Sequence, residues 1–574
     1  MQPKYPRIDA ARQLGALSFG ARVVCLAGPH GHVAQDGSCS PDTSTFMRAR
    51  LQSRYGGLSL GPVRFSLLPD DLDGPLPIVA ATAAQRDALA RLISELREAS
   101  PGLLLGAELP VEPGDGGCPE TASVVGFDWI TLPLKSLMSA PVPGLHGREA
   151  GCAVWAKVEV DPGMTREQIS ALRLEVAQAA TLIDVLHVTL APERAEHLIG
   201  GSERASAKLA RIAAELVDGT SLGVLVSGRV KHAEDAERVL AYHAVDLVGV
   251  SRASLAAPDV IDRDRAGDTT LHCTGCMSCW FDADAPVVSG ERKRCVLRFD
   301  AGALNELDEL AGNGGAFYGV GASFGVLQLA YQAAIRGVST TVHTLGGVLG
   351  GAMRLRGRIP RQAESAEAAL QISRQCREAG VVFDDELASS ELASMQPRQH
   401  DRWVASMMRG RRWPELLDGY ERERALDALG LLAVGVRSRD PWVVVGDTLL
   451  AAEVALYLEM QALSVCLVAD EIAADAHGML RAFYRERLRA RRVYIAPGDA
   501  LEVIDAGRVL VALPDLHGEL VEGGFVASNV VLATGEGEYA EDARGLLAAR
   551  PDMRELPDVY EPLELARVMA AFEL

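Results

Sequence analysis

Short apolar runs alternate with amphipathic stretches along the first 272 residues of the chain. The runs are rich in Val, Leu and Ile, which favour buried strands, and the stretches between them place apolar residues at helical spacing. Strands are predicted at Arg22–Ala27, Gly102–Gly106, Gly126–Leu132, Trp155–Val160, Val185–Leu190, Ser221–Val226 and Val245–Val250. Helices are predicted at Ala84–Glu98, Arg166–Ala180 and Ala233–Tyr242. The alternation predicts an α/β fold that begins with a TIM-like (β/α)8 barrel, whose functional groups lie on the loops after the strands.

Residues 300–574 carry two further α/β patterns. The first has a strand at Phe317–Val320, a helix over Leu327–Arg336 and a second strand at Ser339–His343, which is the layout of a dinucleotide-binding βαβ unit. The second begins at Trp442 and reaches its next strand at Ser464–Ala469. We therefore predict two nested Rossmann-like domains, of the FAD and NAD types. The predicted domains are 1–272 (barrel), 273–312 (cluster segment and linker), 313–435 plus 528–574 (FAD or ADP type) and 436–527 (NAD(P)H type).

Composition limits the classes of function. The 574 residues are 48% hydrophobic and 23% charged, which is typical of a globular protein of several domains. The net charge of −20 argues against nucleic-acid binding and against docking on anionic membranes, but it leaves a basic redox partner open. The first residues lack the apolar core of a signal peptide, and no apolar run reaches the roughly 18 residues of a membrane span. A cytoplasmic protein is expected.

The cysteine spacing carries the most specific chemistry. Of ten cysteines, four lie between residues 273 and 295, namely Cys273, Cys276, Cys279 and Cys295. Three thiolates at CxxCxxC spacing can wrap one corner of a cuboidal cluster, and a distant fourth can bind the remaining iron, so the pattern favours a 4Fe–4S cluster. A zinc site, which more often shows two CxxC pairs, and disulfides remain the alternatives.

Two late barrel loops have the features of a phosphate site. Gly228 and Arg229 follow one predicted strand, and Arg252 follows the next. A glycine turn exposes backbone N–H groups and arginine adds bidentate donors, so the two loops together suit a phosphate. A tight turn and a surface arginine are the alternative interpretation.

These motifs occur in a recognisable order. Ser227–Val230, Asp246–Arg252 and the four cysteines resemble the end of the barrel in the iron–sulfur branch of the Old Yellow Enzyme family. The branch includes trimethylamine and dimethylglycine dehydrogenase-like and 2,4-dienoyl-CoA reductase-like enzymes, and the CxxCxxC spacing resembles its amine dehydrogenases. The resemblance implies an FMN in the barrel, with its phosphate held by Gly228, Arg229 and Arg252. It also implies that a cluster on Cys273, Cys276, Cys279 and Cys295 takes electrons from the flavin.

The earlier barrel departs from the family pattern. Glu108 stands where the family places a glutamine beside the flavin pyrimidine, and Lys157 stands where an arginine faces the flavin N1 edge. Pro133 and Leu134 replace the start of a substrate-binding motif, and an acid expected after Leu190 is missing. Lys157 keeps the positive charge without the planar fork of arginine. The resemblance therefore implies a degenerate member of the family with a degraded substrate pocket.

The nucleotide motifs of the second half are also degenerate. Of the family's GxGxxG, Gly321 survives as the candidate cofactor residue, while Ser323 and Val326 replace the other glycines. Asp447 and Thr448 replace glycines of the NAD(P)H-type motif. These side chains argue against binding of FAD or ADP and of NAD(P)H, although the architecture is kept.

Three functions follow as hypotheses. The first is an iron–sulfur electron-transfer or structural subunit, with or without FMN, of an oxidoreductase of the amine or N-methyl amino acid dehydrogenase class. Its partners would be a related catalytic subunit or an electron-transfer flavoprotein in a hetero-oligomer. The second is a self-sufficient FMN and iron–sulfur enzyme that resembles enoate or dienoyl-CoA reductases. The third is a non-catalytic scaffold for a catalytic paralogue.

Overall fold

The computed structural model divides the chain into two compact units, residues 1–298 and 299–574. It describes residues 5–14, 16–26, 47–52, 55–64, 78–79, 83–109, 126–139, 152–191, 203–242, 244–268, 270–275, 295, 297, 301–360, 362–407, 409–476, 478–514, 520–534, 536–539 and 541–556. This division into two units does not test the four predicted domain ranges, which stay a prediction.

The first unit is a closed parallel barrel preceded by a hairpin. The hairpin strands are β1 (Arg12–Leu14) and β2 (Leu17–Phe19). The following strands are β3 (Val23–Leu26), β4 (Gly57–Arg64), β5 (Ile78–Val79), β6 (Leu104–Glu108), β7 (Trp129–Pro133), β8 (Ala153–Val160), β9 (Val185–Leu190), β10 (Gly223–Ser227) and β11 (Leu247–Val250). The barrel order is β3, β11, β10, β9, β8, β7, β6, β4, and β4 pairs with β3 to close the ring while β5 extends β4. The predicted TIM-like barrel is confirmed.

Helices follow the strands around the barrel. They are α1 (Ala83–Ala99), α2 (Leu134–Ser139), α3 (Arg166–Ala179), α4 (Glu203–Val217), α5 (Ala233–Val239), α6 (Arg252–Ala256) and α7 (Val260–Ala266), with a 3-10 turn at Ala49–Gln52. The start of α3 shows how the sequence sets a boundary. Thr165 accepts the N–H of Gln168 at 3.3 Å, and the Gln168 side chain accepts the N–H of Thr165 at 2.8 Å. This capping box satisfies two amides that a helix start would otherwise leave unpaired.

Aromatic side chains fill the end of the barrel where the strands begin. The indoles of Trp129 and Trp155 stack with centroids 4.6 Å apart, and the Phe19 ring lies 6.1 Å from Trp129. Gly106 makes room for this stack, because a Cβ there would lie 2.0 Å from Trp129 Cε2. The interior of the lower barrel is therefore a packed aromatic core.

The second unit contains the remaining strands and helices. Its strands are β12 (Ala316–Val320), β13 (Ser339–His343), β14 (Val382–Asp384), β15 (Arg402–Ala405), β16 (Arg409–Arg411), β17 (Leu426–Asp427), β18 (Trp442–Val445), β19 (Val465–Val468), β20 (Val493–Ala496), β21 (Leu501–Asp505), β22 (Arg508–Pro514), β23 (Leu520–Ala527), β24 (Asn529–Leu532), β25 (Glu536–Tyr539) and β26 (Arg554–Glu555). Its helices are α8 (Ala301–Gly312), α9 (Phe324–Ala334), α10 (Gly351–Arg356), α11 (Ala363–Glu378), α12 (Ser389–Ser394), α13 (Ala428–Val434), α14 (Leu449–Met460), α15 (Gly478–Ala490) and α16 (Glu541–Ala549). Three 3-10 turns lie at Glu415–Leu417, Arg422–Arg424 and Gly498–Ala500.

Two parallel five-stranded sheets organise this unit. The first has the order β14, β13, β12, β15, β26, and the second has the order β17, β24, β18, β19, β20. The strands β21, β22 and β23 form an antiparallel sheet, and β16 pairs with β25. The second parallel sheet takes β17 and β24 from either side of the range 436–527 that was predicted for the small domain. The α/β architecture predicted for the second half is confirmed.

A buried ionic network holds the two parallel-sheet modules together. The Arg356 guanidinium donates to both carboxylate oxygens of Glu453, at 3.1 and 2.8 Å, and Glu453 is fully buried. The amide of Gln362 and the hydroxyl of Tyr484 donate to the same carboxylate, at 3.2 and 2.5 Å. Burial and the adjacent Glu453 charge raise the pKa of Tyr484 well above its usual value, so its hydroxyl stays protonated and donates. The charge of Glu453 is thus compensated inside the protein.

The described residues contain no helix of the length and hydropathy needed to cross a bilayer.

Candidate active site

Polar side chains gather where the barrel strands end. Trp155 lies in the barrel core, and alternation along β8 places Lys157 and Glu159 on the same inner face. His187 on β9 is in register with Lys157, and Glu108 ends β6. These positions lie above the aromatic core, at the end where TIM barrels carry their functional groups.

An ion pair occupies the predicted flavin edge. Lys157 Nζ donates to Glu108 Oε1 at 2.6 Å, and Glu159 Oε1 lies 3.7 Å away. Burial alone would lower the pKa of Lys157, but attraction to Glu108 and their hydrogen bond outweigh it and raise the pKa. The ammonium is therefore fully charged at neutral pH. Its charge is shared by two carboxylates, so Lys157 itself presents little uncompensated positive charge.

A buried histidine lies beside this pair. His187 Nε2 is 2.8 Å from Ser227 Oγ, which in turn donates to Thr189 Oγ1 at 2.9 Å. Burial, with a smaller contribution from the Lys157 charge, lowers the pKa of His187 to about 3. The imidazole is therefore neutral at physiological pH, and a proton moved through it would meet a large energetic barrier.

The predicted phosphate residues lie on adjacent loops. Because β10 and β11 pair in parallel with Ser227 opposite Gly249, the turn at Gly228 and Arg229 and the start of α6 at Arg252 follow neighbouring strands. Gly228 has φ +127°, and Arg229 has φ +59°, an unfavourable backbone conformation for a side-chain-bearing residue. Strained residues of this kind are concentrated at functional sites, so the strained turn fits a phosphate loop.

The cluster segment is described at two of its four cysteines. Cys273 and Cys295 are half-buried, whereas Cys276 and Cys279 lie outside the described residues. Gly275 has φ +69° and donates its N–H to Cys273 Sγ at 3.4 Å, so the backbone curls around this sulfur. An N–H donor stabilises a thiolate, as a metal cluster requires. The six described cysteines are all free thiols, so a disulfide among them is excluded.

The second-unit cofactor candidate has a packing role. Gly321, with φ +90°, lies so close to the next strand that a Cβ would be 1.8 Å from the Ser406 carbonyl oxygen. Ser323 is buried, and its Oγ accepts the Val326 N–H at 3.3 Å at the start of α9. The need for glycine at position 321 therefore does not depend on a pyrophosphate.

Carboxylates fill the corresponding loop of the second sheet. Asp475 Oδ1 accepts the Leu449 N–H at 2.6 Å, at the N-terminus of α14 where a nucleotide phosphate would bind. Asp447 Oδ1 accepts the N–H groups of Asp470 and Glu471 at 2.7 and 3.2 Å. A phosphate at this position would have to displace these carboxylates and then face their negative charge.

No family model matches the chain. Two solved structures match its whole length: 2-naphthoyl-CoA reductase in complex with 2-naphthoyl-CoA, and histamine dehydrogenase from Rhizobium sp. 4-9. The first has a TM-score of 0.78 and 15% identity over 99% of this chain and 100% of that one. The second has a TM-score of 0.73 and 14% identity over 100% and 97% of the two chains. The chain has the fold of the iron–sulfur Old Yellow Enzyme family. The resemblance inferred from residues 220–300 is thus confirmed at the level of fold.

One curated protein matches about half of the chain in sequence. Bilirubin reductase of Mediterraneibacter gnavus (strain CC55_001C) is 24% identical over 304 residues, which are 51% of this chain and 46% of the relative. The matched segment therefore spans about half the length of that protein. The names of these three similar proteins include one dehydrogenase and two reductases.

Sequence reasoning identified Lys157 and Glu108 separately but missed their pairing. It also missed the polar group formed by His187, Thr189 and Ser227, although His187 in an otherwise apolar strand was a visible signal. Gly228, Arg229 and Arg252 lie on adjacent loops of the first unit, as predicted, whereas Gly321 belongs to the second unit. Whether any of these residues binds a cofactor stays a prediction.

Proposed function

We propose that the chain is the iron–sulfur electron-transfer subunit of an oxidoreductase of the amine or N-methyl amino acid dehydrogenase class. FMN would lie in the barrel mouth and a 4Fe–4S cluster on Cys273, Cys276, Cys279 and Cys295. The observation that carries the proposal is the ion pair of Lys157 with Glu108 at 2.6 Å, at the edge where a flavin would be bound.

The ion pair favours a role in electron transfer over a role in substrate chemistry. Oxidation or reduction of an organic substrate at a flavin requires a group that exchanges protons near neutral pH. In the described part of the mouth, Lys157 has a raised pKa, and His187 has a pKa of about 3. Neither titrates near pH 7. Electron transfer between a flavin and a cluster places no such demand on the protein.

The residues present fit both cofactors. The strained turn at Gly228 and Arg229, with Arg252 on the adjacent loop, would hold the FMN phosphate through N–H groups and guanidinium charge. Lys157 would lie at the flavin N1 edge. FMN supplies the exchange between two-electron and one-electron steps when bound. Cys273, already turned toward an amide donor, would be the first ligand of the cluster.

The partner would be a related catalytic subunit or an electron-transfer flavoprotein. A net charge of −20 favours association with a surface of positive potential and would accelerate the encounter at low salt. A hetero-oligomer is therefore part of the proposal.

A self-sufficient reductase is the second candidate. It is favoured by the names of two similar proteins, 2-naphthoyl-CoA reductase and bilirubin reductase. Against it, Lys157 is flanked by two carboxylates, so its ammonium is compensated and does not favour an anionic group of a substrate beside it.

Anaerobic reduction of the purified chain tests the proposal. Dithionite should reduce both the flavin and the cluster, seen by absorbance and by electron paramagnetic resonance. Dimethylglycine, trimethylamine and histamine should leave the oxidised flavin unbleached, and a 2-enoyl-CoA thioester should not reoxidise the reduced chain. Bleaching by an amine or reoxidation by the thioester would show a self-sufficient enzyme. A cluster that dithionite cannot reduce would indicate a structural scaffold.

A further inference from the structure

A group of metal-ligating side chains lies in the first unit outside the barrel mouth. His232, Asp264 and His272 each offer one ligand atom, and these atoms lie within 4.8 Å of one another. His232 directly precedes α5, Asp264 is in α7, and His272 immediately precedes Cys273. We infer that this group is a mononuclear site for a divalent transition-metal ion, with Zn²⁺ as the expected occupant.

The separations suit one ion. His272 Nε2 lies 2.7 Å from Asp264 Oδ1, and His232 Nδ1 lies 3.8 Å from Asp264 Oδ2. Ligand atoms around a tetrahedral zinc, bound at about 2.0–2.1 Å, are roughly 3.3 Å apart. The first pair is at hydrogen-bonding distance and the second ends on the other carboxylate oxygen, so a bound ion would take the place of the His272–Asp264 hydrogen bond. Because the three ligand atoms lie within 4.8 Å of one another, they are close enough to surround a single ion.

The surroundings hold the carboxylate in position. Asp264 Oδ2 accepts the N–H of Ala233 at 2.8 Å, which fixes the carboxylate against the start of α5. Such a hydrogen bond from outside the ligand set is usual around protein-bound metals. The arginines on either side of Asp264 are engaged elsewhere, Arg263 at 3.9 Å from Asp259 and Arg265 at 3.1 Å from Asp262. The Asp264 carboxylate thus lies next to the two imidazoles rather than in an ion pair with either neighbouring arginine.

The ligand types select the ion. Two imidazoles and one carboxylate suit zinc or ferrous iron, whereas calcium and magnesium prefer oxygen ligands throughout. The rings of His232 and His272 have centroids 3.9 Å apart, so both can contribute from the same side. The Asp264 and His272 side chains are 11% and 10% exposed, which shields the ion from solvent on this side.

The consequence is a link between the barrel and the cluster segment. An ion at this position would join the loop after β10, helix α7 and the segment 270–275 that leads into the cluster cysteines. The site is independent of FMN and of the electron-transfer role, so either proposal can fail alone.

Metal analysis of the cluster-loaded chain tests the inference. The protein is purified anaerobically, treated with a chelating resin, loaded with Zn²⁺ and desalted, and then zinc, iron and acid-labile sulfide are counted. We expect about one zinc per chain, with nitrogen and oxygen ligands in the zinc X-ray absorption spectrum. Iron in excess of sulfide that His232→Gln removes would show ferrous iron in the same site and would also support it.

Variants separate this site from the cysteines. His232→Gln should weaken zinc binding by at least about a hundredfold while the cluster iron is retained. His343→Gln is the matched control, because His343 is bonded to Asp384 at 3.0 Å but belongs to no such three-ligand group among the described residues. Failure of the wild type to retain either metal, sulfur ligands in its zinc spectrum, or unchanged zinc binding in His232→Gln would overturn the inference. The spectrum of the wild type decides the question even if a variant does not fold.

Discussion

The loop after β10 in the barrel and the loop after β18 in the second unit are both junctions from a strand to a helix. In the barrel, Gly228 and Arg229 keep positive φ angles, and Arg252 lies on the adjacent loop. In the second unit, the polar groups at the junction after Gly446 bond to one another. Asp475 accepts the first N–H of α14, and Thr448 Oγ1 donates to the Ala533 carbonyl. One loop keeps features suited to an anion, and the other has replaced the anion with its own side chains.

The difference shows that a fold can be kept when the residues that suit a ligand are replaced. The parallel sheets of the second unit need apolar strands and short loops, which the chain retains. Nucleotide binding additionally needs glycines where phosphate approaches the backbone, and Asp447 and Thr448 remove that approach. The second unit is instead stabilised by internal polar contacts such as that of Arg356 with Glu453. Under the proposed function, the second unit would have a structural role, and the barrel and the cluster segment would carry the redox chemistry.

The largest effect is expected at the cluster. Cys273→Ser should lose most of the iron and lower the melting temperature of the first unit, because cluster binding contributes directly to folding. Iron analysis and circular dichroism on anaerobic protein measure both. Cys152→Ser is the control and should keep its iron, since burial, with the nearby Asp128 and Asp184, raises the pKa of Cys152 to about 11 and disfavours a thiolate. Full iron content in Cys273→Ser would refute the ligand assignment.

The next effect tests the internal support of the second unit. Glu453→Gln leaves the Arg356 guanidinium buried without its counter-charge and should cost about 3–5 kcal/mol of unfolding free energy. Glu459→Gln, on the same helix but 3.8 Å from its partner Arg491, should cost less than about 1 kcal/mol. Denaturant unfolding measures the free energy of unfolding of both variants. Equal stabilities would show that the buried pair does not support this unit.

A pH effect is expected from the barrel mouth. His187 has a pKa of about 3 in the folded chain and about 6.5 when unfolded. The unfolded chain therefore gains a proton below pH 6.5 that the native chain does not. The resulting stabilisation of the folded state is fully present above pH 6.5. The free energy of unfolding should therefore fall by about 2 kcal/mol between pH 7.5 and pH 5. His187→Gln should remove this part of the pH dependence.

Exposed His400 provides the comparison for that measurement. His400→Gln should keep the wild-type difference between unfolding free energies at pH 7.5 and pH 5. If His187→Gln keeps the difference as well, the imidazole is not held neutral in the native barrel.

The smallest effect concerns the flavin edge. Glu108→Gln should free the Lys157 charge to stabilise a reduced flavin and raise the FMN potential by roughly 30 mV, equivalent to about 1.4 kcal/mol. Glu159→Gln should have a smaller effect, because its carboxylate is 3.7 Å from Lys157 rather than 2.6 Å. Spectroelectrochemical titration measures both potentials. An unchanged or lowered potential in Glu108→Gln would place the flavin away from this pair.

Much of the barrel was predictable because apolar strands and helical spacing alternate regularly. The strand missed by that reasoning is Gly57–Arg64, since Gly61 and Pro62 interrupt its apolar pattern and hide it from periodicity. The antiparallel strands from Leu501 to Ala527 were also missed. The alternation of apolar and polar residues in these strands is weak, because some of their residues are exposed. Packing against the rest of the fold, which the sequence does not show, stabilises them as strands.

The candidate site was predictable in parts. Cysteine spacing is local, so it was visible in the sequence, and so was the glycine turn at Gly228. The bond between Glu108 and Lys157 joins strands that are not sequence neighbours, and His232 lies 32 residues before Asp264. Contacts of this kind depend on the barrel register, which local patterns do not determine.

Cofactor content of the anaerobically purified chain tests the central claim most directly. Iron, sulfide, flavin and adenine nucleotide are quantified after acid release. The account predicts about four irons with matching sulfide, FMN at about one per chain, and no adenine nucleotide. Adenine nucleotide without FMN would contradict it, because the second unit would then be the binding site and the barrel the scaffold.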